Sequence, residues 1–582
     1  MTLLRPYSPD GAVVRLRSRY VADAFVLVAV AVLFWLLLRL AHGIGAPFNR
    51  VSAPSTVSTD PTNLPYYAAR SLLRMFVALA VSSAFSLAYA TAAARLRRAE
   101  KVLLPVLDVL QSVPVLGFLA VTLSLWLTLF PHTMLGVEAA SVFAIFTSQA
   151  WNMTFAFYHS LITQPRELDE AARMLRMTKW QRFWKLDVPS GMIPLVWNGM
   201  MSFGGGWFFL IASEVISVNR HTYALPGIGS YVAAASQQRE LGRMGLAIAV
   251  MVVMVIAVNV VFWRPLVAWA ERFRVEQSAA ADVPHSVVLN VLRRSSVPAL
   301  VGRAVRPVGG SLDRLARPFG LAEYPLRIEA RRRRAADVGF AAVVATLLAW
   351  GVVRMLIYID RGTGLGEFGH AFALGLATFG RVVVLLVVSS LVWAPIGVWI
   401  GMNPRVSRYA QPVVQVLASF PANFLFPLFT LLLVHTGVSI NLGGIVLMSL
   451  GAQWYVLFNV IAGASAIPTD LREAGANLRL RGLLRWRRLV LPAIFPAWVT
   501  GAITAAGGAW NASIVAEVVS YGHHTLVATG LGAYIAQSTT SGNFPRTLVG
   551  VAVMSVYVVG LNRLFWRRLY RLAEKRYSLQ QG

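Results

Sequence analysis

Twelve stretches of this chain stay apolar for long enough to cross a bilayer, and they fall into two sets of six. The first set lies near 21–40, 68–93, 103–130, 137–162, 193–218 and 244–266. The second lies near 337–358, 371–401, 410–434, 438–464, 496–520 and 545–566. A span needs about 20 apolar residues of helix. Hydrocarbon offers nothing to satisfy exposed backbone groups, which leaves helices as the spanning form. Charged residues are 13% of the chain, about half the share usual in soluble domains. The sequence predicts an all-α polytopic membrane protein with about twelve transmembrane helices.

A net charge of +28 would suggest nucleic acid in a soluble protein. Here the cations fall in alternate loops, where they fix orientation and meet anionic lipid headgroups. Arg95, Arg97, Arg98 and Lys101 follow the second run; Lys179, Arg182 and Lys185 follow the fourth; Arg264, Arg272 and Arg274 follow the sixth. Arg405 and Arg408, then Arg485, Arg487 and Arg488, then Arg563, Arg567 and Arg568 repeat the pattern. Both termini are therefore expected in the cytoplasm, membrane lipid is an expected partner, and nucleic acid is not. The expected layout is a cytoplasmic segment 1–20, a first repeat 21–266, a basic linker 267–336, a second repeat 337–566 and a cytoplasmic tail 567–582.

The two sets are copies. At an offset of 307, Arg74 falls on Arg381, Ser82-Ser83 on Ser389-Ser390, and Pro105 and Pro114 on Pro412 and Pro421. Beyond a four-residue deletion the offset is 303, where Trp151 falls on Trp454, Trp207 on Trp510 and Glu214 on Glu517. Gly227, Gly229 and Tyr231 then match Gly530, Gly532 and Tyr534. An even number of spans per copy makes them parallel repeats of six helices, not inverted ones.

Polar residues that recur between apolar runs are the candidates for function. The stretch from Glu170-Ala171-Ala172 to Pro189 returns as Glu473-Ala474-Gly475 to Pro492, held between the same two spans of each copy. Four ionisable residues are predicted inside spans: Arg74, Glu214, Arg381 and Glu517. Buried intramembrane charge is usually paired or lines a cavity. The matching depths predict Arg74 with Glu214 and Arg381 with Glu517, either fixing helix packing or drawing an anion along the translocation path. Gly204-Gly205-Gly206 and Gly507-Gly508 precede Trp207 and Trp510, which would pack in the core or constrict that path. No phosphate-cradling glycine loop, metal-ligand cluster or nucleophile–base set is present, and there is no cysteine. The chain is expected to be no enzyme, with no catalytic residue, metal or cofactor of its own, so that any uphill work draws energy from a partner.

Glu-Ala-Ala, a basic amphipathic stretch and a closing Val-Pro or Leu-Pro resemble the cytoplasmic signature loop of binding-protein-dependent ABC importer permeases. Trp207 with Glu214, and Gly227-Ile-Gly-Ser-Tyr231, with their second copies, are similar to the nitrate, sulfonate, taurine and bicarbonate branch, in a duplicated, fused form. The resemblance covers nearly everything outside 267–336. It implies the ABC importer permease fold in a bacterial cytoplasmic membrane, with two ATP-binding cassette ATPase subunits docking on 170–189 and 473–492. It also implies an extracytoplasmic solute-binding protein, a small anion as cargo, and ATP bound only by the partner subunits. In the family the loop forms a short coupling helix; here Glu170 and Glu473 would open it and the small Ala171, Ala172 and Ala474 would allow close approach. Pro189 and Pro492 would break the helix before the next span. The family's loop usually carries glycine where Arg176 and Arg479 stand. Arginine adopts positive φ reluctantly, so the turn is expected to change geometry or shift toward Gly482. The rival reading is a 6+6 secondary transporter of the major-facilitator type, which would be marked instead in the loop between its second and third spans.

Overall fold

The computed structural model describes residues 56–273 and 330–577 apart from a few isolated positions, with parts of 22–32 and 287–311. The first repeat runs α1 (Leu64–Arg95), α2 (Arg97–Ser112), α3 (Val115–Leu129), α4 (Leu135–Ile162), α5 (Arg166–Met174) and α6 (Lys179–Glu214). A hairpin of β1 (Val215–Val218) and β2 (His221–Ala224) follows, then α7 (Ile228–Gln237) and α8 (Leu241–Phe273). In the linker lies α9 (Val287–Arg294), and α10 (Ala330–Thr363) leads into the second repeat. That repeat runs α11 (Glu367–Met402), α12 (Pro404–Ser419), α13 (Ala422–Thr436), α14 (Ile440–Ser465), α15 (Thr469–Asn477) and α16 (Gly482–Ala516). It closes with β3 (Val518–Tyr521), β4 (His524–Val527), α17 (Leu531–Thr540) and α18 (Phe544–Ala573).

The duplication read from the sequence reappears as structure, nearly residue for residue. At the offset of 303, α5 maps onto α15, β1 and β2 onto β3 and β4, and α7 onto α17 with no shift in bounds. Even the π-turns recur: Phe183–Asp187 with Trp486–Val490, and Asn259–Trp263 with Asn562–Trp566. Among the described residues the hairpins are the only strands in an otherwise helical fold, and both pair antiparallel in the same register, Val215 with Ala224 and Val518 with Val527.

The span count is lower than expected. Among the described residues eight helices are long and apolar enough to cross a membrane, or nine if one bent pair is a single span. The expected span at 21–40 lies largely outside the described residues. Helix α4 is long enough but less apolar than those eight. The runs at 103–130 and 410–434 are each broken in two, and α12 meets α13 at 75°. The cause is local: Phe420 (ψ 128°) and Pro421 (ψ 108°) are both extended. A residue before proline is pushed out of the helical region by the ring. Pro114, with ψ 116°, does the same ahead of α3.

Segment edges also move. Helix α8 runs on to Phe273, α10 starts at Ala330, and the last helical segment reaches Tyr577. The expected linker therefore begins and ends in helix, and the expected tail begins in helix. Asp23 accepts hydrogen bonds from Ser295 and Ser296, tying the linker back to the N-terminal region.

Helices α1, α4 and α6 pack together in the first repeat and α11, α14 and α16 in the second, while Val137, Ala140 and Ala144 of α4 join the second repeat's core. The broken helices then cross over. Val115, Leu116, Leu119 and Leu123 of α3 are buried in the second repeat's core, while Phe424 of α13 is buried in the first. Val115 N–H donates to Asn511 Oδ1 at 3.1 Å, and Asn423 Nδ2 donates to the Phe208 carbonyl at 3.0 Å. Breaking the span at Pro114 and Pro421 is thus what lets each half reach into the other.

Candidate functional site

Three features carry polar chemistry, and α4, about 42 Å long by its 28 residues, separates the first from the second. At its far end lie the loops expected to couple. Helices α5 and α15 each close in a Schellman turn. Arg176 N–H donates to Arg173 O and Met177 N–H to Ala172 O; Arg479 and Leu480 repeat this onto Ala476 and Gly475. That motif needs a left-handed residue, and Arg176 (φ 47°) and Arg479 (φ 51°) supply it. The expected change of geometry, or shift to Gly482, does not occur: the arginines take the strained conformation. Left-handed backbone costs a non-glycine residue about 1–2 kcal/mol, and the flexibility that glycine adds to the unfolded chain returns about 0.5–1 kcal/mol. Arg176→Gly and Arg479→Gly should each stabilise by about 0.5–1 kcal/mol. A thermal midpoint of the purified double variant that is no higher than the parent's would refute this.

The expected helix break at Pro189 and Pro492 is also absent. Helices α6 and α16 run through them, because each proline follows a π-turn whose wider spacing absorbs the missing N–H and the ring clash. Glu170, Ala171, Glu473 and Ala474 are exposed, whereas Ala172 and Gly475 are buried. A methyl group on Gly475 would sit 3.0 Å from Leu489, which fills the space its counterpart's side chain takes in the first loop. Met174 (85% exposed), Leu478 (73%) and Leu483 (84%) point outward from these loops. Apolar side chains left uncovered this way mark a contact surface, a signal that the sequence pattern of charges hid.

The two loops are anchored differently. Asp187, buried under the first, accepts from Arg95 at 2.5 Å, and Asp169 pairs with Arg182 and Arg173. Partial burial pushes the Asp169 carboxyl upward, but Arg182 and Arg173 outweigh it and hold the group below its ordinary range. At the matching positions of the second loop stand Met402 for Arg95, Val490 for Asp187 and Ile467 for Gln164. Val490 and Ile467 are buried.

At the opposite end lie the intramembrane charges. Arg74 donates Nη1 to Glu214 (2.8 Å), Nε to Glu138 (2.6 Å) and Nη2 to both Glu138 (2.8 Å) and the Pro226 carbonyl (3.0 Å). Arg70 pairs with Glu138 as well, and Ser71 donates to Glu214. In the second repeat Arg381 donates to Glu517 (2.7 Å), to Asn441 Oδ1 (2.7 Å) and to the Asn441 and Thr529 carbonyls, and Thr378 takes the place of Ser71. The N-termini of α7 and α17 close on these carboxylates: Gly229 N–H of α7 donates to Glu214 at 2.6 Å, and Ala533 N–H of α17 to Glu517 at 3.0 Å. A methyl group on Gly227 would lie 2.2 Å from Glu214, and one on Gly530 2.3 Å from Glu517. The repeated Gly-x-Gly therefore exists to let a helix N-terminus, the positive end of its dipole, touch a buried acid.

Arg74 is thus brought to Glu214, and Arg381 to Glu517. Their guanidinium groups are spent on protein acceptors, and neither lines the cavity between the repeats. Of the two roles open at the level of sequence, the geometry fits the packing one. Glu138 was missed because its counterpart is Asn441: a search for repeated charges passes over it.

The third feature is that cavity, about 290 Å³, walled by Pro114, Pro421, Gly204, Gly205, Gly507 and Gly508, with Trp510 and Tyr455 among its lining. Trp510 is buried and stacked on Tyr557 at 5.7 Å. Trp207 does not line it; it packs edge-on against Phe203 at 5.5 Å. Identical residues at matching positions therefore have different surroundings. Among the described residues no group of three or more metal-ligating side chains occurs.

Comparison with known proteins reaches the same parts of the chain. The profile of the family described as "Binding-protein-dependent transport system inner membrane component" matches twice, over residues 84–268 and 394–578. A nitrate import permease protein of Leptolyngbya laminosa is 25% identical over 213 residues, 37% of this chain and 71% of the relative. A bicarbonate transport system permease protein of Synechococcus elongatus is 26% identical over 205 residues, covering 35% of this chain and 68% of its own. A putative aliphatic sulfonates transport permease protein of Bacillus subtilis is 25% identical over 218 residues, covering 38% and 74%.

Proposed function

Because this chain belongs to the family of binding-protein-dependent transport system inner membrane components, we propose that it supplies both transmembrane halves of an ATP-driven importer for a small oxyanion. It is a multi-pass membrane protein and a permease component of an ABC importer, a class whose members work with ATPase subunits and solute-binding proteins. The finer reading gives each loop, centred on Glu170 and Glu473, one ATPase subunit. The solute-binding protein then meets the end that carries the hairpins and the buried charges. Both termini and both loops face the cytoplasm of a bacterial cell, in keeping with the basic loops. ATP is bound by the partners, and this chain carries out no chemistry.

The observation that carries this reading is the cavity at the crossing of the two repeats, with a matched pair of exposed short helices at one end of the bundle. A pair of handles below a shared passage is what alternating access by a separate motor requires. The nature of the cargo rests on the names of the relatives, which import nitrate, bicarbonate and sulfonates.

Uptake into proteoliposomes holding the assembled importer tests it. Nitrate, bicarbonate or ethanesulfonate should accumulate only with ATP inside the compartment facing the loops and with the solute-binding protein on the other side. Glycine betaine, a zwitterion with a quaternary cation, should not. Uptake by this chain alone on a proton gradient would overturn the proposal.

A further inference from the structure

The cavity between the repeats holds roughly the volume of ten waters, at about 30 Å³ each. None of the described residues lining it is charged. Its polarity comes from hydroxyl, amide and indole groups, some of which are already engaged. Thr147 and Ser148 donate back to the carbonyls of Ala144 and Ile145 in their own helix, and Asn511 donates to Gly507 while accepting from Val115. A helical serine normally bonds back in this way.

Two donors in the lining are both unengaged and shut off from solvent. Ser202 Oγ and Trp510 Nε1 are buried with no hydrogen-bond partner, in residues 4% and 1% exposed. A buried donor left unpaired costs about 1–3 kcal/mol, a cost that a bound acceptor removes. Trp126 and Trp263 also have unpartnered Nε1 groups, but neither lines this cavity. Indole N–H is a donor only, so what it meets must offer an oxygen acceptor, not a cation.

The two donors come from opposite repeats, Ser202 on α6 and Trp510 on α16. Their counterparts offer nothing equivalent: Ala505 has no hydroxyl, and Trp207 is turned into the aromatic packing of the first repeat. A nearly symmetric frame therefore holds an asymmetric pair of buried, unpaired donors, one from each repeat.

We propose that Ser202 Oγ and Trp510 Nε1 form one transit site that takes the oxygen atoms of a small oxyanion as it crosses between the repeats. This deepens the importer reading and rests on it. The neutral lining is part of the mechanism: a fixed cation would bind an anion and hold it, while conduction needs binding weak enough to release. The buried arginines are kept out of the passage by their own carboxylates.

The test uses the complete importer in proteoliposomes, reading uptake of nitrate, bicarbonate and ethanesulfonate beside ATP hydrolysis stimulated by the binding protein. Ser202→Ala and Trp510→Phe should each lower uptake about tenfold, the loss of about 1.4 kcal/mol, and the double variant further. Hydrolysis should stay within about twofold of the parent, which also shows that the assembly is folded. Trp207→Phe, the same change at the matching position outside the cavity, should leave uptake unaltered. The transit site is overturned if the double variant transports at more than half the parental rate. It is equally overturned if Trp207→Phe lowers uptake as much as Trp510→Phe, since that is a packing effect. If the parental importer carries none of the three anions, the function reading fails on the parent alone, before any variant is made.

Discussion

Reversing Glu170 and Glu473 to Arg together is expected to strip the ATPase subunits from the purified membrane protein and abolish ATP-dependent uptake. Both acids are exposed and sit at the same turn of α5 and α15, two residues before the small buried Ala172 or Gly475. Reversal there places a cation against whatever group the acid pairs with and adds bulk on the approach face. Truncating one partner of a buried interfacial charge pair costs about 2–5 kcal/mol, and reversal adds repulsion. With two docking sites lost at once, the loss of affinity should exceed about a thousandfold. Copurification of tagged permease with its ATPase subunits measures it directly. If these loops merely fix topology, the double reversal would copurify as the parent does, because neither acid supports the bundle's interior.

The second large effect concerns the buried charges, where the chain contains its own control. Around Arg74 the first repeat has two arginines and two glutamates; around Arg381 the second has one of each, with Ala377 in place of Arg70 and Asn441 in place of Glu138. Both clusters are neutral overall, so one whole ion pair has been exchanged for a neutral pair without disturbing the fold. Arg70→Ala with Glu138→Asn should therefore destabilise by no more than about 1 kcal/mol, since exchanging a complete buried pair is often near neutral. Arg74→Ala, which leaves buried Glu214 without a cation while Glu138 keeps Arg70, should cost about 3–5 kcal/mol and lower the yield of folded protein. Thermal midpoints of the two variants in detergent decide the matter. Equal losses would mean that the clusters are not held by charge balance.

Much of this was legible in the sequence because the chain was written twice. Arg74 with Glu214 and Arg381 with Glu517 stood out since both copies kept them, and their matching depths predicted which pairs meet. The same habit concealed Glu138, whose second copy is an amide. Span counting went astray at Pro114 and Pro421, where apolar composition continues across a backbone that cannot stay helical; hydropathy sees side chains and not the φ and ψ that proline imposes. Arg176 and Arg479 misled in the opposite sense. Their side chains argue against a left-handed turn, but the hydrogen bonds that close α5 and α15 outweigh the strain. Trp207 and Trp510 are alike in sequence and unlike in setting, because Phe203 beside the first is Ala506 in the second repeat and Tyr557 beside the second is Met254 in the first.

The unlike anchors of the two loops have a consequence for how the machine behaves in changing conditions. One lever is fastened by ionic contacts, which brine weakens, and the other by oily contacts, which chilling weakens. Cold or salt should loosen one side before the other, so that strokes delivered in step at rest fall out of step under stress. Being one polypeptide, the permease also gives any motor pair a fixed left and right.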